Sequence, residues 1–150
     1  MAGKLRKLVS SETCVFCKVV NNEIPCYKVY EDNKVLAFLD INPVNQGHTL
    51  VVPKQHYQTI TDMPLEELKQ VISVVYKAVS ALEKEFDPDG VNLIQNNGLH
   101  AGQLIPHVHF HLIPRIEGDE INFGFLWGTK KVSEQDMKKV QEKISKLITQ

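Results

Sequence analysis

Three histidines at alternate positions place the strongest constraint on this 150-residue chain. Between Ile105 and Arg115 the sequence reads IPHVHFHLIPR, so apolar residues separate His107, His109 and His111. Successive side chains of an extended strand point to opposite faces, which places the three imidazoles on one face and the apolar side chains on the other. We therefore predict a strand with one core face and one reactive face.

Half of the six histidines lie within the five residues 107–111, and chance explains such clustering poorly. A purification tag would be contiguous and terminal, without apolar residues between the histidines. Two chemical interpretations remain open at this point. The strand could bind a metal ion, or it could handle phosphate, with imidazole as nucleophile and hydrogen-bond donor.

Length and composition narrow the class of protein. A chain of 150 residues suits a single domain over residues 1–150, with residues 1–12 as a flexible basic arm. No apolar run approaches the roughly 18 residues that span a bilayer, and no secretory core precedes the domain, so we predict a cytoplasmic protein without a membrane partner. A net charge of −1 argues against nucleic acid as the main partner but allows a small nucleotide.

The three cysteines argue against a disulfide framework in a chain without secretory features. Cys14 and Cys17 form a C-x-x-C pair, which suits one half of a zinc site or a redox pair. Cys26 falls in an apolar segment, and we predict a buried strand residue without metal there.

The periodicity of the apolar residues predicts an α+β fold, with an antiparallel sheet of about five strands, one long central helix and a C-terminal helix. Predicted strands cover 26–30, 35–39, 48–52, 91–95 and the histidine segment 105–115. The long helix is predicted to begin near Pro64 and to end before 87–90, and its core face comprises Leu65, Leu68, Val71, Ile72, Val75, Val79 and Leu82. Ser133 is predicted to cap the last helix, whose packing face comprises Val140, Ile144, Leu147 and Ile148.

The sequence resembles the histidine triad (HIT) family, in the branch that hydrolyses nucleotide derivatives. Residues 107–113 match the His-x-His-x-His-x-x signature of that family, with an apolar residue at every x. Further matches occur in the same order along the chain, at 38–43, 47–56, 96–98 and 101–103. The resemblance implies a HIT-like fold and an enzyme.

The resemblance implies that His109 attacks the α-phosphorus of a purine nucleotide derivative. A nucleotidyl-histidine intermediate would then be hydrolysed to a nucleoside monophosphate. Neutral imidazole is available near pH 7, and a backbone carbonyl bonded to the other ring nitrogen would set the tautomer. Donors for the phosphate oxygens are implied at His111, Asn96, Gln103 and the backbone around Gly102, and His111 is also implied to assist the leaving group.

Other positions of the family pattern imply how the nucleotide is held. Asp40 is implied to bond the ribose hydroxyls beside Ile41, and His48 to orient the triad from a neighbouring strand. Asp40 and Asn96 are also ordinary turn residues. Leu104 lies in the nucleotide site where phosphoramidases of the family often carry a hydroxyl residue, and this departure puts efficient phosphoramidate cleavage in question. His100 is predicted to be an exposed loop residue near the mouth of the pocket.

A zinc-containing subset of the family implies a metal site. In that subset a C-x-x-C pair, a histidine at the position of His56 and the first triad histidine bind zinc. This sequence retains the whole set, Cys14, Cys17, His56 and His107. A closed Cys₂His₂ set is typical of structural zinc and leaves no position for a catalytic water. An empty site with reduced thiols is the alternative.

Several functions remain compatible with these residues. The leaving group could be the amine of an adenosine phosphoramidate, the acyl group of an aminoacyl adenylate, or the second nucleotide of a dinucleoside polyphosphate. The transferase branch typically has glutamine at the third triad position, so His111 favours hydrolysis over transfer. A nucleotide-binding adaptor with incidental hydrolysis and a zinc hydrolase with the triad as ligands are the other classes. The resemblance also implies a homodimer, with Trp127 either in the core or across the interface.

Overall fold

A five-stranded antiparallel sheet forms the centre of the computed structural model, which describes residues 10–119 and 128–148. The strands are β1 (Lys28–Glu31), β2 (Val35–Leu39), β3 (Thr49–Pro53), β4 (Gly90–Gln95) and β5 (Phe110–Arg115), in the order β1-β2-β3-β5-β4. The helices are α1 (Val15–Val20), α2 (Leu65–Phe86) and α3 (Glu134–Ile148). The predicted α+β fold with one long helix and one C-terminal helix is confirmed.

Three strands begin later than predicted, β3 by a single residue. β1 begins at Lys28, so Cys26 precedes the strand and is only half-buried, and its predicted place as a buried strand residue is wrong. β5 begins at Phe110, so two of the three histidines precede the regular ladder. The backbone N–H of Val108 donates to the carbonyl of Tyr57 at 2.8 Å and is therefore not available to β3.

Helices cover both faces of the sheet. α2 and α3 pack on one face, and α1 packs on the other against Leu36, Phe38, Leu50 and Val52. As a result, every residue of β2 and β3 is buried, which explains why all of them except Thr49 are apolar. The sheet therefore lies between two apolar layers, and α1 forms the thinner one.

The two long helices are amphipathic. The buried residues of α2 are Val71, Val74, Val75, Ala78, Ala81 and Leu82. Leu65 and Ile72 were predicted to lie in the core but are 64% and 43% exposed, because Leu65 starts the helix and Ile72 lies about 100° around it from Val71. Ser133 accepts the backbone N–H of Asp136 before α3, as predicted. Among the described residues no helix is both long and apolar enough to cross a membrane.

Two sequence predictions fall wholly or mostly outside the described residues. Trp127 lies outside them. Only residues 10–12 of the predicted arm lie inside, and there Ser10 caps a 3₁₀ turn over Ser11–Thr13 by accepting the N–H of Glu12. The arm and the single-domain boundaries therefore stay predictions.

Gly47, at the entry to β3, is expected to be intolerant of a side chain. Its φ is +89°, and an added Cβ would lie 2.5 Å from Cε2 of Phe86 and 3.1 Å from Cδ2 of Leu82. We expect Gly47→Ala to lower the free energy of unfolding by about 2–4 kcal/mol, through backbone strain and overpacking. Urea unfolding measures the change.

Gly90→Ala is the matched control for this substitution. A Cβ at Gly90 meets no atom within 4 Å. Its effect on unfolding should stay below about 1 kcal/mol. Equal effects of the two substitutions would contradict the close packing of Gly47 against α2.

Candidate functional site

The alternation predicted from the sequence is present in three dimensions. The apolar members of the segment, Val108, Phe110 and Leu112, join the core beneath α2 and α3. The histidines point to the α1 side, where the ring of Phe16 lies edge-on to His107 and His109 at centroid distances of 5.9 and 5.1 Å. One face of the segment is therefore core and the other carries imidazoles, although only His111 lies within β5.

The hydrogen bond of His109 determines its tautomer. Nδ1 lies 2.7 Å from the carbonyl oxygen of His107. A carbonyl can only accept, so Nδ1 carries the proton and donates it. Nε2 is consequently left with its lone pair, and His109 lines a cavity with a residue exposure of only 5%.

A second chain of hydrogen bonds determines the tautomers of His48 and His111. The backbone N–H of Val44 donates to His48 Nδ1 at 3.1 Å, so the proton of the neutral ring is on Nε2. This Nε2 lies 2.9 Å from His111 Nδ1 and donates to it. The proton of neutral His111 is then on Nε2, which makes that nitrogen a donor, whereas the corresponding nitrogen of His109 has a lone pair.

Burial keeps these imidazoles neutral. Burial, with repulsion from His109, lowers the pKa of His48 and His111 to about 3 each. Burial also lowers the pKa of His107 to about 4 and lowers the pKa of His109. The hydrogen bonds that these two rings donate to backbone carbonyls act in the opposite direction but do not outweigh burial. Because a neutral imidazole has one donor and one acceptor nitrogen, the hydrogen-bond directions above hold near pH 7.

His109 and His111 form the floor of a cavity of about 640 Å³. α1, β2 and β3 supply an apolar wall, and the loop between β4 and β5 supplies the opposite wall. The predicted site residues on the lining are Asp40, Ile41, Asn96, Gly102, Leu104, His109 and His111, and His100 joins them. The structure therefore brings most of the predicted nucleotide-binding residues to one cavity.

Asp40 lies at the end of β2 on this cavity. Its Oδ1 accepts the backbone N–H of Asn42 at 2.8 Å, and its Oδ2 lies 3.6 Å from His48 Nε2. Burial raises the pKa of this carboxyl. A half-buried carboxylate with acceptor capacity beside a cavity is suited to vicinal hydroxyl groups.

Gln103 does not line the cavity. It is 5% exposed, its Oε1 accepts the N–H of Gly98 at 2.7 Å, and its Nε2 donates to the carbonyl of Gln58 at 2.6 Å. These bonds hold the β4–β5 loop against the segment after β3. Direct contact of Gln103 with phosphate, predicted from the sequence, stays a prediction, and its position here is that of a loop support.

Four sulfur and nitrogen donors converge beside the triad. Nδ1 of His107 lies 3.4 Å from Cys14 Sγ, 3.6 Å from Cys17 Sγ and 3.3 Å from His56 Nδ1. Cys17 Sγ lies 3.3 Å from His56 Nδ1. Nε2 of His107 donates to the carbonyl of Pro53 at 2.8 Å, so its Nδ1 has a lone pair that points into the cluster.

This donor set fits a tetrahedral zinc ion. Metal–ligand bonds of 2.0–2.3 Å place tetrahedral ligands about 3.3–3.7 Å apart, which matches the observed separations. Burial and the adjacent Cys14 raise the pKa of the Cys17 thiol to about 12, so buried thiolates here need a cation. The Pro53 carbonyl supplies the outer hydrogen bond that metal-binding histidines usually make.

A second cluster, Asp40, His48 and His111, also groups possible metal ligands. The hydrogen-bond chain argues against a metal there. His48 Nδ1 already accepts from Val44, so neutral Nε2 carries a proton and has no lone pair for a metal. The triad-as-ligand interpretation of the sequence therefore has less geometric support than the Cys₂His₂ cluster.

Sequence analysis missed the apolar residues that line the cavity. They are Val15, Phe16, Val19, Ile24, Pro25, Phe38, Leu39, Leu50, Ile94, Ala101 and Ile105, with Cys26, Asn42 and Thr129 beside them. One signal was present in β2 and β3, because strands that are apolar at nearly every position require a covering layer on both faces. The sequence did not show that α1 is the covering layer, because this depends on contacts between residues far apart in the chain.

An α+β domain with alternating histidines on the floor of a cavity defines the histidine triad class of proteins. The HIT domain profile matches residues 21–118, and the chain belongs to the HIT family. A HIT-like protein of Methanocaldococcus jannaschii is 58% identical over 106 residues, which cover 71% of this chain and 81% of that protein.

Two relatives have named activities. The adenosine 5′-monophosphoramidase of Schizosaccharomyces pombe is 38% identical, over 91% of this chain and 98% of its own length. The adenylylsulfatase of Arabidopsis thaliana is 37% identical, over 98% of this chain and 72% of its own length.

Solved structures of the family have the same fold. A HIT-like protein of Bartonella henselae superposes with a TM-score of 0.83 at 36% identity, covering 93% of this chain and 99% of its own. A zinc-bound histidine triad protein of Mycobacterium smegmatis superposes with a TM-score of 0.79 at 33% identity, with coverages of 93% and 99%.

Proposed function

We propose that this protein hydrolyses a bond to the α-phosphate of a purine nucleotide derivative and releases a nucleoside monophosphate. The observation that carries this proposal is the tautomer of His109, whose Nδ1–H donates to the carbonyl of His107 and leaves Nε2 as a nucleophile on the cavity floor. The phosphoramidase and adenylylsulfatase names of two relatives support the same class of reaction.

The reaction proceeds in two balanced steps. His109 Nε2 forms a bond to the α-phosphorus, and the leaving atom departs with its electron pair, taking a proton from His111 Nε2 when it is a nitrogen. Water then attacks the nucleotidyl-histidine, and the P–N bond electrons return to His109. A proton of the water restores His111 where it protonated a nitrogen leaving group, and passes to solvent where the leaving group departed unprotonated. One water is consumed per bond cleaved.

The cavity has the complementary chemistry for a nucleoside monophosphate. His111 Nε2–H and the side chain of Asn96 donate to the phosphate oxygens together with backbone amides near Gly102, in a site where positioning and charge stabilisation do most of the work. Asp40 accepts from the ribose hydroxyls. The base lies in the apolar slot formed by residues such as Phe16 and Phe38.

The Cys₂His₂ cluster holds a structural Zn²⁺ in this proposal. The four ligands are Cys14, Cys17, His56 and His107. The metal would neutralise two buried thiolates, and it would fix α1 to the triad segment. His107 is then a ligand and its carbonyl positions His109, so the cluster supports the nucleophile without touching the substrate.

A homodimer and a cytoplasmic location complete the proposal. β4 is an edge strand of the sheet, and it exposes 53% of Leu93. Exposed strand edges readily pair with a second copy, and sedimentation velocity measures the oligomeric state. Three free cysteines suit a reducing compartment.

Hydrolysis of adenosine 5′-phosphoramidate in ¹⁸O-labelled water tests the proposed activity. We expect AMP that carries one labelled oxygen, and a nucleotidyl-enzyme that mass spectrometry detects on His109 after rapid quenching. Tight AMP binding without turnover of phosphoramidate, acyl adenylate or diadenosine polyphosphate would instead identify a nucleotide-binding adaptor.

A further inference from the structure

We infer that the leaving group of the substrate, an amine or a carboxylate, carries an uncharged, apolar chain, and that it is not a polyphosphate. This inference rests on the proposed function and specifies the half of the substrate that the nucleoside pocket does not define. The evidence for it is the apolar character of three residues at the mouth of the cavity, Ile41, Leu104 and Val15.

In-line attack places the leaving group at the cavity mouth. His109 lies on the sheet side of the cavity, at 5% exposure. Attacking and leaving atoms lie on opposite sides of phosphorus in phosphoryl transfer. A nucleophile on the floor therefore directs the leaving group away from the sheet and toward solvent.

Three apolar side chains at the mouth are open to solvent, beside the exposed polar lining residues Asn42, His100 and Thr129. Ile41 is 70% exposed, Leu104 is 61% exposed and Val15 is 45% exposed, and all three line the cavity. They come from three separate elements, namely the loop after β2, the β4–β5 loop and α1. Apolar residues converging from separate elements gain most when an apolar group covers them.

The charge of the lining disfavours a polyphosphate. Asp40 contributes a carboxylate to the lining of the cavity. Among the described residues that line the cavity, none is lysine or arginine. Proteins hold polyphosphates with lysine, arginine or metal ions, whereas a single α-phosphate is within the capacity of the neutral donors here.

Leu104 thereby acquires a specific role. A branched apolar side chain at the mouth cannot donate to a charged chain terminus or a polyphosphate, but it can contact an alkyl or aryl chain. Leu104 is therefore a specificity-determining residue, and it acts on the leaving group and not on the nucleoside. A substrate of this class is cleaved by the two steps given above, with a carboxylate leaving unprotonated from an acyl adenylate and a protonated amine leaving from a phosphoramidate.

A matched pair of substrates tests the inference. The adenosine phosphoramidates of hexylamine and of 6-aminohexanoate share the reacting P–N bond and differ in a terminal carboxylate. We expect kcat/KM to be about tenfold higher for the hexylamine compound, and higher still relative to diadenosine tetraphosphate. Equal values for the pair, or preference for the tetraphosphate, would overturn the inference.

Leu104→Arg should reverse this selectivity by placing a cation at the mouth. We expect the ratio of kcat/KM between the two phosphoramidates to fall by about tenfold. Leu99→Arg is the matched control, because Leu99 is 65% exposed in the same loop and does not line the cavity. An unchanged ratio in Leu104→Arg, or the same fall in both variants, would contradict the role of Leu104.

Binding separates a failure of this inference from a failure of the proposed function. Calorimetry compares AMP hexyl ester with the AMP ester of 6-hydroxyhexanoate, neither of which needs turnover. Tighter binding of the hexyl ester supports the apolar mouth even if no substrate is hydrolysed. Equal binding overturns it even if hydrolysis is efficient.

Discussion

Substitution of His109 by alanine is expected to lower kcat roughly 10⁴-fold or more, which is the usual loss when an enzyme loses its nucleophile. AMP affinity should change little, because Asp40 and the apolar slot of the cavity remain. Turnover of adenosine 5′-phosphoramidate and calorimetric titration with AMP measure the two quantities. Near-normal turnover in the purified variant would exclude His109 as the nucleophile.

Two further measurements separate loss of a nucleophile from loss of structure. Zinc content of the His109→Ala variant should match that of the unsubstituted protein, because His109 does not belong to the Cys₂His₂ cluster, and the variant should still unfold cooperatively at a lower temperature. His109→Gly with added imidazole should recover part of the turnover, since free imidazole can occupy the vacated space. Release of zinc by His109→Ala would instead favour the triad as metal ligands.

Substitution of Cys14 by serine is expected to abolish stoichiometric zinc binding and to lower the melting temperature by roughly 10 °C or more. The physical reason is that the remaining thiolate and two imidazoles cannot close a tetrahedral shell. Metal analysis and differential scanning calorimetry provide the two readouts. A chelator should cause a similar loss of stability in the unsubstituted protein.

Cys26→Ser is the matched control for the zinc prediction. Cys26 is the third free cysteine and lies outside the Cys₂His₂ cluster. This variant should retain one zinc per chain. Stoichiometric zinc in Cys14→Ser, or its loss in Cys26→Ser, would contradict the proposed ligand set.

Much of the fold follows from local sequence patterns. β2 was predicted with its observed bounds, because a continuous apolar run between turn residues leaves few alternatives, and β4 differs by a single residue at its start. The errors occur where distant contacts intervene. Ile72 matches the helical stripe but is exposed, since the sheet covers only the side of α2 on which Val71 lies.

For the candidate site, the sequence predicted most of the residues that line the cavity but not their hydrogen-bond partners. Asp40, Asn96 and Leu104 follow from family motifs and do line the cavity. The motif also singles out Gln103, whose amide bonds to Gly98 and Gln58 instead. A motif specifies which side chain is present, whereas its hydrogen-bond partners depend on how the loop packs.

The sequence by itself determined that three imidazoles share one face and that apolar residues occupy the other, because the alternation of side chains is a local property of extended backbone. Only the tertiary structure decided what each ring nitrogen can do. His107 Nδ1 meets a sulfur 93 positions away, and His111 Nδ1 meets His48 at a separation of 63. Tautomers depend on such partners, and the chain brings them together only when it folds.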